Sequence, residues 1–300
     1  MKACYIVLVY NELDYTFKTF ESITRQKQDL YPFDIICIDN NSKPEIAEKL
    51  KSFCEKSHIR YIFHNENNGY AGGNNYAWRI VRNEEYDYVF IANNDIELLN
   101  TDISEEILKI LEKEQNIALI GTHLIDGNNV SITYSKLHEQ VMKMNKFNRF
   151  KTDLFQPVVT VVGCFFCIRV KYAPLELFDK SFFMYSEEQN LEYYLMKQGY
   201  GVGILNNKNY VVKHYGGFFD FNKASNWKIY LNIRNAILTS KNFNRMIQIK
   251  YITLYLMLVI KLFLKYRKSA IIKGFFNGLI YLNKDKSIIY ENAIAQLNKI

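Results

Sequence analysis

Two adjacent carboxylates, Glu187 and Glu188, follow the aromatic run Phe182-Phe183-Met184-Tyr185. They open a segment with helical spacing, in which Leu191, Tyr194 (or Leu195) and Gln198 fall about one turn apart. A carboxylate pair at a helix start, set against apolar walls, suits a general base. The same pattern also describes a solvated helix N-terminus, where acidic residues are common. The rest of the chain decides between the two.

Polar clusters sit directly after successive apolar runs: Tyr10-Asn11-Glu12, Asp39-Asn40-Asn41-Ser42, the loop NENNGYAGGNN at 65–75, and Asn93-Asn94-Asp95. An acid such as Asp39 just after a strand suits a ribose or base contact. Gly69, Gly72 and Gly73 allow close backbone approach and expose N–H groups at a helix start, which suits phosphates. Asp95, with no basic neighbour in sequence, can coordinate a hard cation. Any one of these turns is ordinary, because Asn and Gly dominate turns for backbone reasons. Four at one sheet edge form a ligand crevice beyond the strand carboxyl ends.

The elements that must position them alternate. Strands are expected at Cys4–Tyr10, Asp34–Ile38, Ile59–Phe63, Tyr88–Ala92 and Ile117–Ile120. Helices are expected between them, including one started near Ser42 and Pro44. This predicts an α/β fold, a mostly parallel sheet flanked by helices on both faces. The apolar run 158–168 reads as a further buried strand with Cys164 and Cys167 on opposite faces. Short strands are expected near 203–213, a turn at Asp126-Gly127-Asn128-Asn129, and a loop over 135–157.

Three hundred residues, 49% of them hydrophobic, allow one large domain or two modest ones. The five cysteines form no disulfide or zinc framework, and fit a reducing compartment. The N-terminal apolar run is too short for a signal peptide, so the chain is expected to start in the cytoplasm. From Lys241 onward eleven basic residues face two acidic ones, a local charge of +9 against +7 for the whole chain. The first 240 residues are therefore slightly acidic, which argues against a nucleic-acid partner. The division expected is a domain over 1–240 and a basic helical tail over 241–300. Within the tail, the apolar run Tyr251–Ile260 spans about 15 Å as a helix, half a bilayer core. With its basic flanks it fits an anchor on a membrane surface, or a helix packed on the body or on a second subunit of a homo-oligomer.

No G-x-G-x-x-G follows the first strand, and no P-loop is present, which argues against a dinucleotide dehydrogenase and a P-loop enzyme. Taken together, Tyr10-Asn11, DNNS at 39–42, NNGYAGGNN at 67–75, NND at 93–95, Gly163, FFMYSEE at 182–188, His214-Tyr-Gly-Gly, and Tyr230 with Arg234-Asn235 resemble a family 2 glycosyltransferase of the GT-A fold, in the bacterial rhamnosyltransferase-like branch. The resemblance runs over roughly residues 3–240.

The resemblance implies inverting transfer of a sugar from a nucleotide-sugar donor, dTDP-rhamnose or a UDP-hexose, to a glycan or lipid-linked glycan. Tyr10, Asn11, Glu12, Asp39, Asn41, Asn68, Gly69, Gly72, Asn74 and Asn94 would hold the donor. Asp95 and His214 would hold Mn2+ or Mg2+ on the diphosphate, imidazole favouring Mn2+. Glu188, where the family usually has Asp, would be the base, with Glu187 its runner-up. The alternative is a non-catalytic nucleotide-sugar-binding or scaffold subunit of a glycan-assembly complex. A nucleotidyltransferase is disfavoured, since NELDYTFK at 11–18 lacks the Gly-rich basic loop expected of one.

Overall fold

The structure, a computed structural model, describes residues 1–131, 151–158, 160–217 and 219–297. The main sheet has eight strands: β1 (Ala3–Val9), β2 (Phe33–Asn40), β3 (Arg60–His64), β4 (Tyr88–Asn93), β6 (Ile117–Gly121), β8 (Phe155–Pro157), β9 (Phe165–Arg169) and β10 (Gly201–Leu205). Their order is β3-β2-β1-β4-β9-β6-β10-β8. Strands β1 to β4 run parallel, as do β6 and β10; β9 and β8 run antiparallel to their neighbours. A small sheet pairs β5 (Ile96–Leu98), β11 (Val211–His214) and β7 (His123–Asp126) in the order β5-β11-β7. The expected mostly parallel α/β architecture is what the chain forms.

Both faces of the sheet are covered, because central strands such as β1, β6 and β9 are buried along their whole length. Cys4, Ile6 and Leu8 of β1 face a core completed by α3 (Gly69–Asn83), α5 (Glu187–Lys197) and the C-terminal helices. Tyr5, Val7 and Val9 face the other core, completed by α1 (Asp14–Thr24), α2 (Pro44–Lys56) and α4 (Ile103–Lys113).

Three local expectations are corrected. The glycine-rich segment 65–75 is loop only to Asn68; α3 begins at Gly69, so Gly72 and Asn74 are helical. The run 158–168 is a strand only from Phe165, because side chains of α5 and α3 take the backbone groups upstream of it. Cys164 and Cys167 consequently lie in the same core rather than on opposite faces, both buried free thiols. The turn at 126–129 forms, closed by Asn129 N–H on the Asp126 carbonyl at 3.0 Å. The expected loop over 135–157 falls mainly outside the described residues.

The C-terminal helices are α6 (Asn226–Thr239), α7 (Arg245–Tyr266), α8 (Ser269–Tyr281) and α9 (Lys286–Leu297). The helix of the tail extends well beyond the apolar run Tyr251–Ile260 at both ends. α7 has 22 residues, about 33 Å at 1.5 Å per residue, and by length and composition it could cross a membrane. Lys261 does not end it, because that side chain lies on an exposed face. Ile247, Tyr251, Tyr255 and Val259 form a buried stripe against the body, while Met246, Ile249, Met257, Ile260 and Leu264 are exposed. α8 lies close on α6: a side-chain carbon at Gly274 would stand 2.7 Å from the Tyr230 carbonyl oxygen.

Candidate active site

Parallel pairing sets the polar turns along one edge. Val9 pairs with Asp39, Asn40 with His64, and Leu8 with Asn93, so the residues after β1 to β4 emerge side by side. Asn11 joins the first two turns: its N–H donates to Ser42 Oγ at 2.9 Å and its Oδ1 accepts Lys43 N–H at 2.8 Å. Asp39 is fully buried and accepts the Ser42 N–H and the Tyr61 hydroxyl, each at 2.8 Å. Glu12 caps α1, accepting the N–H groups of Tyr15 and Thr16 at 3.0 Å. Asn94 donates to Thr16 Oγ1 at 2.8 Å. Tyr10 and Asn41 are open to solvent. Asp39, Glu12 and Asn94 thus shape the edge through internal bonds, while Tyr10 and Asn41 face outward.

The start of α3 closes onto the acidic loop. Gly69 has φ +71°, and a side-chain carbon there would come within 2.6 Å of the Phe183 carbonyl oxygen. Only glycine meets both demands. One residue pair on, Ala71 N–H donates to that same carbonyl at 3.1 Å. Asn68 donates to Glu66 at 3.0 Å and accepts the Tyr290 hydroxyl of α9 at 2.9 Å. Asn74 is buried, its amide donating to the Tyr70 carbonyl at 3.0 Å, with Oδ1 left without a partner.

Asp95 lies in the turn between β4 and β5, and β11 pairs with β5 so that His214 stands opposite Ile96. That register brings His214 Nε2 within 3.2 Å of Asp95 Oδ1. Asp95 Oδ1 and His214 Nδ1 are nonetheless buried without a hydrogen-bond partner, so distance makes the pair but alignment does not. A side-chain carbon at Gly216 would sit 2.6 Å from Asp95 Oδ2 and 3.1 Å from His214 Nε2. Glycine there keeps open the space beside a carboxylate and an imidazole, a donor set that suits a divalent cation. The described residues contain no group of three or more such ligands, so a cation here would complete its shell from its substrate and water.

The acidic pair opens α5. Glu187 is buried, Glu188 partly exposed. Burial, and then the neighbouring Glu188, push the Glu187 carboxyl well above the usual range. Glu187 is thus the member that more readily holds a proton, and Glu188 the less buried of the two. Glu188 lies over Gly163, where a side-chain carbon would stand 3.2 Å from its Cδ and Cγ. Gly163 belongs to a strap over 160–164 held from three sides. Glu192, fully buried one turn beyond Glu188, accepts Val161 N–H at 2.7 Å and the Thr160 hydroxyl. Tyr70 of α3 donates to the Gly163 carbonyl at 2.7 Å. Asn93 N–H donates to the Cys164 carbonyl at 2.8 Å, which ties the strap to the Asp95 turn. The Asp95 turn and α5 thus meet the strap at adjacent residues, Cys164 and Gly163, and burial, then the charges of Asp95 and Glu188, raise the Cys164 thiol.

The loop feeding α5 is strained. Phe183 is the centre of a γ-turn of the rarer hand (φ 65°, ψ −58°), closed by Met184 N–H on the Phe182 carbonyl at 2.8 Å. Tyr185 and Ser186 follow at φ 72° and 68°. Such conformations cost about 1–3 kcal/mol each and persist only where the surroundings over-determine them.

Tyr61, Tyr70 and Glu192 were not anticipated from sequence. Glu192 carried a signal: an acid four residues after Glu188, on the stripe that Leu191 and Leu195 mark as buried.

A family model described as Glycosyl transferase family 2 matches residues 4–175. The low-salt glycan biosynthesis hexosyltransferase Agl10 of Haloferax volcanii is 25% identical over 237 residues, 75% of this chain and 73% of that protein. Among solved structures, GalNAc-T7 with UDP, GalNAc and Mn2+ superposes with a TM-score of 0.58 at 12% identity, over 79% of this chain and 47% of that one. The chain thus spans about half the length of that relative. The mannosyltransferase PcManGT of Pyrobaculum calidifontis, in complex with GDP-Man and Mn2+, superposes with a TM-score of 0.55 at 12% identity, over 99% of this chain and 74% of that one. These likenesses show the GT-A fold.

Proposed function

Because the chain belongs to glycosyl transferase family 2, we propose that it is an inverting hexosyltransferase of glycan biosynthesis, taking its sugar from a nucleotide-diphosphate donor. One observation carries the reading: the turn holding Asp95–His214 and the Glu188 side chain meet one strap at Cys164 and Gly163, with the helix start at Gly69 packed on the loop before Glu187. The relatives' names support it, since one is a glycan-biosynthesis hexosyltransferase and two were solved with nucleotides or a nucleotide sugar and Mn2+.

The chemistry follows from the residue types. An acceptor hydroxyl must lose its proton as its oxygen attacks the anomeric carbon, and Glu188 receives that proton. The bond to the diphosphate breaks on the opposite face, so the configuration inverts. Burial and the Glu188 charge favour the protonated form of Glu187, which lessens the negative charge beside Glu188. Asp95 and His214 would hold a divalent cation, which when bound supplies positive charge against the leaving diphosphate. The positive end of the α3 dipole lies at Gly69, although the Gly69 and Ala71 N–H groups are taken by Asn67 Oδ1 and the Phe183 carbonyl. The donor is dTDP-rhamnose or a UDP-hexose, and the acceptor a lipid-linked glycan. The chain would work at the inner face of a membrane, with the exposed apolar side of α7 and its basic flanks against the lipid.

The test is incubation with a panel of UDP-, GDP- and dTDP-sugars, with Mn2+ or Mg2+, scoring release of the nucleoside diphosphate. Metal-dependent release from at least one donor is expected. Donor binding without turnover under any condition would favour the scaffold reading instead.

A further inference from the structure

The Arg234-Asn235 pair has no part in the chemistry above, yet both residues are fully buried on α6. Among the described residues the guanidinium has no carboxylate partner. It donates through Nη2 to the Ser181 carbonyl at 3.1 Å and the Phe182 carbonyl at 3.4 Å. Through Nη1 it reaches the Ile289 carbonyl and Asn292 Oδ1 of α9, at 3.1 and 3.2 Å. Its Nε donates to Asn235 Oδ1 at 2.9 Å, which orients the amide. The Asn235 amide then donates to three carbonyls of the strained loop: Phe182 and Met184 at 2.8 Å, and Tyr185 at 2.9 Å.

We propose that Arg234 and Asn235 are positioning residues: they hold the left-handed loop that aims Glu188, and they tie that loop to the C-terminal helix α9. The physical reason is local. A γ-turn at Phe183 and two further residues at positive φ turn three carbonyls to one side, away from any strand or helix partner. Buried carbonyls need donors, and an amide –NH2 beside a guanidinium concentrates donors without adding an acid that would compete with Glu187 and Glu188. Without these donors the loop can relax to ordinary backbone angles, and the start of α5 moves with it.

The inference rests on Glu188 as the base, so its test has a readout that needs no substrate. Backbone amide exchange over residues 181–190 is followed by mass spectrometry in the full-length wild type, Asn235→Ala and Asn235→Asp. In parallel, hydrolysis of UDP-galactose and dTDP-rhamnose is measured with Mn2+. Asp fills the same volume but lacks the –NH2 donors. Both variants are expected to exchange at least about tenfold faster over 181–190 alone. They are expected to lose about 100-fold in kcat with donor KM kept within about twofold. Wild-type exchange in Asn235→Asp, or wild-type kcat in a folded Asn235→Ala, overturns the proposal. If neither variant folds, Asn292→Ala removes one of the two α9 acceptors of Arg234, the side-chain one, without touching the loop. It should then raise exchange over 181–190, and no change there overturns the proposal equally. A wild type that hydrolyses neither donor, with a loop that still responds, counts against the enzymatic reading and leaves the brace standing.

Discussion

Asp95 Oδ1 and His214 Nε2 stand 3.2 Å apart, brought together because β11 pairs with β5 one residue beyond the Asp95 turn. Among the described residues neither Asp95 Oδ1 nor His214 Nδ1 has a hydrogen-bond partner. His214→Ala should weaken Mn2+ binding on the order of 10–100-fold, measured by calorimetry with UDP present. Gly216→Ala should do the same without loss of fold, because its methyl would stand 2.6 Å from Asp95 Oδ2. Unchanged Mn2+ affinity in both variants would remove this pair from the cation site.

Gly163→Ala probes the other side of the strap. Its added carbon would sit 3.2 Å from Glu188 Cδ and Cγ, so the carboxylate must shift by a few tenths of an ångström. Steady-state kinetics should show kcat lowered by about tenfold with donor KM nearly unchanged, since only the reacting geometry is disturbed. A change confined to KM would place Gly163 with the donor instead.

The buried acids predict a pH dependence of stability. Burial raises the carboxyls of both Glu187 and Glu192 above their unfolded values. The folded state therefore keeps protons that the unfolded chain releases. Stability from these groups is full below the unfolded carboxyl value, about 4.3, and is lost as pH rises toward the folded values. Urea unfolding between pH 5 and 8 should show a weaker fall with pH in Glu192→Gln than in the wild type. Equal slopes would mean that Glu192 titrates alike in the two states.

The exposed side of α7 predicts lipid contact. Met257 and Ile260 are 56% and 48% exposed, on the face away from the Tyr251–Tyr255 stripe. Met257→Glu with Ile260→Glu should abolish sedimentation with anionic vesicles and leave the thermal midpoint within about 2 °C. Vesicle binding that survives the double substitution would rule this face out as the lipid contact.

The strand edge was legible because each of the first four parallel strands is a mostly apolar run ended by polar residues, and parallel pairing then leaves no choice of edge. The carboxylate pair was legible for the same local reason: two acids open a helix. Three features were not. Helix α3 starts inside a segment that composition marks as loop, because the packing of Gly69 on Phe183 outweighs the poor helix propensity of Gly and Asn. The segment 160–164 has strand composition but gives the Val161 N–H to Glu192 and the Gly163 carbonyl to Tyr70, partners 31 and 93 residues away. The γ-turn at Phe183 carries no glycine to announce it, because its conformation is imposed from Asn235 on α6.

Glu188→Gln tests the central claim most directly. The substitution keeps the shape over Gly163 and removes the proton acceptor. With a donor that the wild type turns over, transfer should fall by at least about 100-fold while donor and Mn2+ binding stay at wild-type affinity. Transfer at the wild-type rate in this variant would place the base elsewhere and contradict the account.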